Sequence, residues 1–223
     1  MKLFEYETEQ SFDYENGFYL TSDISRVGKL LSHYELYKMI HELPGDVVET
    51  GVFKGASFLR WLSFRNLLEN QKSRKVIGFD SFSQFPETSF EKDKPYVKKF
   101  TEESGEHSIS KEELEHICSF KQFENFELVK GDIVHTLPEY FNHNPHTKIA
   151  LLHIDTDVYE PAKVALETLW PRIVKGGIVI FDDYGTFPGE TQAVDEFFKD
   201  KDVEFKKLNI SHKIPVYIKK EHI

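Results

Sequence analysis

The sequence contains one cysteine, Cys118, and so has no internal disulfide. A lone thiol suits a reducing compartment or indifference to redox state, and its Phe-containing surroundings predict simple packing. Basic residues are in the minority, with 28 Lys and Arg against 38 Asp and Glu, giving a formal charge of -10. That balance argues against a nucleic-acid partner, because a phosphate-tracking surface needs cations in excess. Long apolar runs are missing too. Nothing approaches the ~20 residues of a membrane span, and the start, Met1-Lys2-Leu3-Phe4-Glu5, turns acidic without a signal-like run. The expectation is a cytoplasmic protein with no membrane partner. There is no internal repeat or low-complexity stretch, and 223 residues suit one domain with a sizeable core.

What is present is an alternation. Residues 1–22 are aromatic and acidic without a period, an arm expected over a pocket or across a homo-oligomer. Val27 to Leu43 has helical spacing and stops at Pro44-Gly45, so residues 1–45 form an N-terminal arm and helix. Asp46 to Val52 predicts a strand, and Ser57 to Asn70 a helix. Further strands follow at Lys75 to Phe79, Phe126 to Lys130, Ile149 to Ile154 and, after Gly176-Gly177, Ile178 to Phe181. A helix from Pro161 to Trp170 separates the last two. Continuous apolar strands joined through helices predict a parallel sheet buried on both faces. Val203 to Ile210 and Pro215 to Lys219 are too close for a parallel crossover, so they predict an antiparallel hairpin. The fold class expected is α/β, a doubly wound, mostly parallel Rossmann-like sheet ending in that hairpin. Residues 83–123 interrupt the rhythm with a polar, charged stretch, expected to be a partly helical lid.

The strands end in acids or glycines: Glu49 and Gly51, Asp80, Asp132, Asp155, and Asp182-Asp183. Open α/β sheets bind ligands beyond the carboxyl ends of their strands, which gathers these residues on one edge. Glu49-Thr50-Gly51-Val52-Phe53-Lys54-Gly55 is not a dinucleotide fingerprint, because an acid stands where the first glycine would face a pyrophosphate. It suits a ligand carrying an ammonium or sulfonium charge. Asp80 could accept two ribose hydroxyls and Asp132 an adenine amino group, although either could equally cap a helix. Asp155, Asp157, Asp182 and Asp183 at two adjacent strand ends repel one another unless a cation intervenes. Hard oxygen donors suit Mg²⁺, with Mn²⁺ or Ca²⁺ as alternatives. Such a cation can clamp a hydroxyl and lower its pKa. Of the histidines, His153 reads as a packed strand residue. His107, His116, His135, His143, His146 and His212 read as surface residues.

Asp155-Thr156-Asp157-Val158-Tyr159-Glu160, Gly176-Gly177 through Asp182-Asp183-Tyr184, Gly189 to Asp195, Glu49 to Gly55 and Asp80-Ser81-Phe82 together resemble one family. It is that of the metal-dependent sugar O-methyltransferases of the macrocin and mycinamicin type, with novobiocin-type enzymes as relatives, and the likeness runs from about Asp46 to Phe198. The resemblance implies a class I methyltransferase fold, S-adenosylmethionine as donor, and a small-molecule acceptor such as a sugar or nucleotide-sugar. It implies that Asp155, Asp182 and Asp183 hold Mg²⁺ and that Asp157 is the general base. Glu49, Gly51, Gly55, Asp80, Ser81, Asp132 and Asp155 would then surround the donor. Gln84 departs from the family, which usually has glycine there. Two rivals stand beside this reading: another enzyme on the same scaffold, such as a cephalosporin hydroxylase-like relative, and a non-catalytic sugar- or nucleotide-binding module.

Overall fold

In the computed structural model, which describes residues 1–223 except Pro86, Glu106, His212 and Ile223, the alternation folds into one seven-stranded sheet. At the N-terminus β1 (Lys2–Leu3) pairs antiparallel with β2 (Tyr6–Glu7), and α1 (Ser11–Thr21) follows with no buried residue. Phe12, Tyr19 and Leu20 stay exposed along it. α2 (Ile24–Lys38) begins earlier than its apolar spacing predicts, because the Asp23 carboxylate accepts the Ser25 N–H at 2.8 Å. It also ends earlier, and residues 39–42 continue as turns.

β3 (Asp46–Thr50), β4 (Val76–Asp80), β5 (Phe126–Lys130), β6 (Ile149–Ile154) and β7 (Ile173–Phe181) are parallel, in the order β5-β4-β3-β6-β7. The sheet is closed at one edge by β9 (Val216–Lys219), antiparallel to β7, with β8 (Lys206–Lys207) antiparallel outside it. Chain direction from β3 reverses at the β3–β6 neighbours, so the crevice beyond these two strands is the expected binding place. Side-chain alternation divides the core in two. Val47, Leu151 and Ile180 face α2, α3 (Ala56–Leu68) and α5 (Lys111–Phe120). Val48, Leu152 and Phe181 face α6 (Ile133–His143), α7 (Tyr159–Leu169) and α8 (Pro188–Phe198). Cys118 is packed in the first cluster, and burial pushes its thiol up to about 12.

Two strand expectations change. β7 is longer than Ile178 to Phe181, since a register shift lets Ile173 pair with Ile149 and carries the strand through Gly176-Gly177. The tail strand expected at 203–210 shrinks to two residues, and Asn209–Ser211 forms a 3₁₀ turn instead. As the outermost strand, with polar Lys206 and Lys207, it has little apolar surface to bury.

The 83–123 insertion carries α4 (Lys94–Ser104) and α5. It is tied to the rest by Asp93, fully buried, whose carboxylate accepts the N–H of Tyr159 at 3.0 Å and of Gly189 at 2.7 Å. One side chain thus satisfies orphan donors at the start of both α7 and α8. Glu160 adds bonds from Thr88 Oγ1 at 3.0 Å and from the Ser89 backbone at 3.0 Å. Asp93→Ala is expected to lower the unfolding free energy by ~2–4 kcal/mol, because two buried amides lose a charged partner. The denaturant midpoint measures this; an unchanged midpoint would show the clasp to be energetically idle.

Candidate active site

A cavity of about 1060 Å³ opens at the carboxyl ends of β3, β4, β6 and β7. Its walls include Gly51, Asp80, Ser81, Asp132, Asp155, Asp157, Asp182 and Asp183, so the sheet gathers most of the residues that the sequence singled out. The insertion contributes Phe85, Glu87, Ser89 and Phe100, and α2 contributes Arg26 and Lys29. None of residues 1–22 lines it, so the arm does not cover this pocket.

The acids sort themselves differently from the expectation. Oxygens of Asp155, Asp157 and Asp183 lie within 4.8 Å of one another. That is close to the ~4–5 Å between opposite oxygen ligands of Mg²⁺ or Ca²⁺. Burial, then repulsion from Asp183 and Asp155, raises the Asp157 carboxyl well above its ordinary value. Burial and Asp182 do the same to Asp155 and, more mildly, Asp183. Three mutually repelling carboxyls aimed at one point fit a divalent cation. Asp157 also takes a left-handed backbone, φ 61°, which aspartate tolerates better than most residues. Its carbonyl accepts the Glu190 N–H at 3.2 Å, and Glu190 Oε1 accepts the Asp183 N–H at 3.0 Å.

Asp182 is engaged elsewhere. Lys29 Nζ donates to its Oδ2, and His153 Nε2 donates to Oδ1 at 3.3 Å. Burial alone would raise this carboxyl, but Lys29, His153 and His33 hold it well below the usual carboxylate range. His33, His153 and Asp182 form a second compact set, one ligand atom of each again within 4.8 Å of the others. Its charge is already balanced, because Lys29 offsets Asp182 and Glu49 offsets His153. Asp182 is thus paired with Lys29 and His153, and the three carboxyls that gather most closely are Asp155, Asp157 and Asp183, where the sequence reading named Asp155, Asp182 and Asp183.

Glu49 also differs from its expected position. It is fully buried and does not line the cavity; its Oε1 accepts from His153 Nδ1 at 2.8 Å and from Trp61 Nε1 at 3.2 Å. Burial opposes the charged imidazole, but bonds to Asp182 and Glu49 raise His153 to about 10. His33 stacks on Trp61 with centroids 4.6 Å apart, and burial drives it down to about 3. The expectation of a packed His153 holds in position, yet the ring links two strand-end acids.

The glycines act within the protein as well. Gly51 has φ +87°, and a methyl group there would collide with the Asp155 carbonyl oxygen. Gly55, φ +82°, stands outside the cavity and faces Leu114 of α5. Asp80 receives the amides of Val52 at 2.8 Å and Phe53 at 2.9 Å on Oδ2, and Phe82 at 2.6 Å on Oδ1. It therefore organises the β3–α3 turn and keeps limited acceptor capacity for a ribose. Ser81 Oγ reaches Gln84 O at 3.2 Å. Asp132 caps α6 through the Val134 N–H at 2.9 Å while remaining on the cavity wall. His107, His116, His135, His143 and His146 are exposed, and His212 lies outside the described residues.

Lys29, His33, Arg26, Arg60 and Glu190 were not singled out by sequence reading. The first three carried a usable signal: spacings of three and four place Arg26, Lys29 and His33 on one helix face. Arg60 carried none, as a single cation in the apolar run Phe58 to Leu62, and Glu190 lay in the Gly189 to Asp195 stretch of the family likeness without a role of its own.

The model of the macrocin O-methyltransferase (TylF) family matches residues 27–220. Among curated proteins, the chain is 34% identical over 148 residues to the 8-demethyl-8-(2,3-dimethoxy-alpha-L-rhamnosyl)-tetracenomycin-C 4'-O-methyltransferase of Streptomyces olivaceus, covering 64% of this chain and 54% of that one. It is 31% identical over 166 residues to the demethyldecarbamoylnovobiocin O-methyltransferase of Streptomyces niveus, covering 70% and 59%. The match thus spans little more than half the length of these relatives. Among solved structures, the calicheamicin methyltransferase CalS11 superposes with a TM-score of 0.73 at 28% identity, over 96% of this chain and 85% of that one. A second structure of CalS11 describes it as a TDP-rhamnose 3'-O-methyltransferase.

Proposed function

The chain belongs to the macrocin O-methyltransferase family, and from that premise we propose that it methylates a hydroxyl of a sugar-containing small molecule, using S-adenosylmethionine and a divalent cation. The observation that carries this reading is the convergence of Asp155, Asp157 and Asp183 on one point of the cavity that Gly51, Asp80 and Ser81 also line. A sugar acceptor is supported by the rhamnosyl substrate in the name of the Streptomyces olivaceus relative.

Asp155 and Asp183 would hold the cation, Mg²⁺ by its preference for hard oxygen donors, with Asp157 at its edge. When bound, S-adenosylmethionine would supply the methyl group and leave as S-adenosylhomocysteine, and the cation would acidify the acceptor hydroxyl. Asp157 accepts that hydroxyl's proton. A carboxylate on the cavity wall beside the cation can act as general base. Thr186 Oγ1 bonds Asp183 Oδ1 at 3.0 Å, and Glu190 bonds the Asp183 N–H, so that carboxylate is held in place. Lys29 and His153 pair with Asp182 beside the cluster and offset part of the negative charge that it adds there. Phe85, Phe100 and Phe187 supply an apolar wall that excludes water from the reacting hydroxyl.

The test combines S-adenosylhomocysteine titration with thermal unfolding in Mg²⁺ at two pH values. Between the unfolded carboxyl value of ~3.9 and their raised folded values, the folded protein holds extra protons on Asp155, Asp157 and Asp183. Stability of the metal-free protein therefore falls as pH rises through that window. A cation replaces those protons, so Mg²⁺ is expected to raise the unfolding midpoint more at pH 8 than at pH 6. No shift at either pH would remove the cation from this site. Failure to bind S-adenosylhomocysteine would remove the methyl donor.

A further inference from the structure

Resting on that methyl-donor reading, we propose that Arg26 and Arg60 form a carboxylate subsite of the cavity, occupied by the amino-acid tail of S-adenosylmethionine. Both guanidinium side chains line the cavity. Among the described residues neither meets a carboxylate at ion-pair distance, although the protein is acidic overall. Two lysines of the same wall are already engaged. Lys29 binds Asp182, and Lys54 donates to the Ser104 carbonyl at 2.9 Å. Arg60 is half-buried, and burial followed by repulsion from Arg26 holds it below its ordinary value despite the pull of Asp182, Glu49 and Asp155. Two neighbouring cations, one of them partly desolvated, are unfavourable unless an anion joins them. A guanidinium pair is shaped to grip a planar carboxylate through parallel N–H donors.

The order of the strands says which end of the donor falls there. Asp80 and Ser81 mark the end of β4, and the acid cluster marks the ends of β6 and β7, with β3 between them. A donor with its ribose towards β4 and its sulfonium beside the acids lies across the Gly51 turn. Its amino-acid tail then meets the helices that flank this turn, α3 with Arg60 and α2 with Arg26. The Ser57 side of α3, one turn before Arg60, lines the same wall. Glu49 is sealed behind Trp61 and His153 and takes no part. A phosphate on a nucleotide-linked acceptor is the other possible source of the anion, and the experiment separates the two.

Calorimetry compares S-adenosylhomocysteine, methylthioadenosine (which keeps the nucleoside and thioether but lacks the tail) and thymidine diphosphate. The proteins are the parent, Arg60→Gln, and Arg26→Gln, whose exposed position leaves folding intact. Arg60→Gln is expected to weaken S-adenosylhomocysteine ~10–100-fold and Arg26→Gln ~3–10-fold, with methylthioadenosine changed by less than ~3-fold in both. Equal losses for the two nucleosides, or no loss for S-adenosylhomocysteine, overturn the subsite. So does a loss confined to thymidine diphosphate, which would assign the arginines to the acceptor. If the parent protein binds neither nucleoside, the methyl-donor reading itself fails, a different result from a parent that binds and an Arg60→Gln variant that matches it.

Discussion

Asp157→Asn is expected to lower turnover by ~10²–10⁴-fold while the protein keeps its fold and its affinity for S-adenosylhomocysteine. Asparagine preserves size and the left-handed turn at φ 61°, so the loop that carries the side chain stays in place. What disappears is the group that takes the proton. Because Asp157 lies in the same compact set as Asp155 and Asp183, removal of its charge also relieves repulsion there. The variant should therefore lose part of the cation's pH-dependent stabilisation as well, and both changes can be read on one preparation. Asp182→Asn serves as the contrast. Its carboxylate is bound by Lys29 and His153, so that change should weaken the attachment of α2 before it weakens cation binding. Turnover within a few-fold of the parent for Asp157→Asn would exclude the carboxylate as base. If Asp182→Asn abolished cation binding and Asp157→Asn left it intact, the assignment of ligands from the three-carboxyl cluster would be overturned.

The second large effect concerns folding. Gly51→Ala is expected to cost on the order of 4 kcal/mol, seen as a fall of roughly 10 °C in the unfolding midpoint or as insoluble protein. The strain has two sources. The backbone at Gly51 is left-handed, φ +87°, and the added methyl would strike the Asp155 carbonyl oxygen. The collision is with backbone of the neighbouring β6 end, so no rotamer change relieves it, and the displaced residue is one of the cluster acids. Gly17→Ala is the control, since nothing lies within 4 Å of a methyl there and α1 is exposed. It should be neutral or stabilising by ~0.5–1 kcal/mol through helix propensity. Parent-like stability for Gly51→Ala would mean that β3 and β6 do not approach as closely as described.

These two positions show how far local reading reaches. Gly51 was legible as a position that must lack a side chain, because a glycine closing a β-branched run before a helix has few other uses. By itself such a glycine suggests close approach of a ligand to the backbone. The actual neighbour is a carbonyl 104 positions later in the chain, by subtraction of 51 from 155, and nothing near Gly51 in sequence announces it. Asp157 was legible as chemically active, first through its place in Asp155-Thr156-Asp157 and then through the family resemblance. Its grouping with Asp183 depends on the direction in which each side chain leaves its strand end. Parallel pairing of β6 with β7, Ile154 opposite Phe181, brings the two acidic ends together. The turn geometry after each strand then chooses which carboxyls converge.

Sequence alone determined the layered α/β architecture, since strand interiors that are apolar on both faces have to be covered on both faces, and that pattern is local. It also determined that acids cluster at one edge, because parallel strands put all their carboxyl ends on the same side. The tertiary structure alone decided which acids meet the ligand space. Glu49 is turned inward to Trp61 and His153, Asp182 stays on the cavity wall but is paired with Lys29 from a distant helix, and Asp157 groups with Asp155 and Asp183. The physical reason is that a charged side chain settles where its partners are. Those partners come from α2, α3 and the neighbouring strands, elements that no local window of sequence contains.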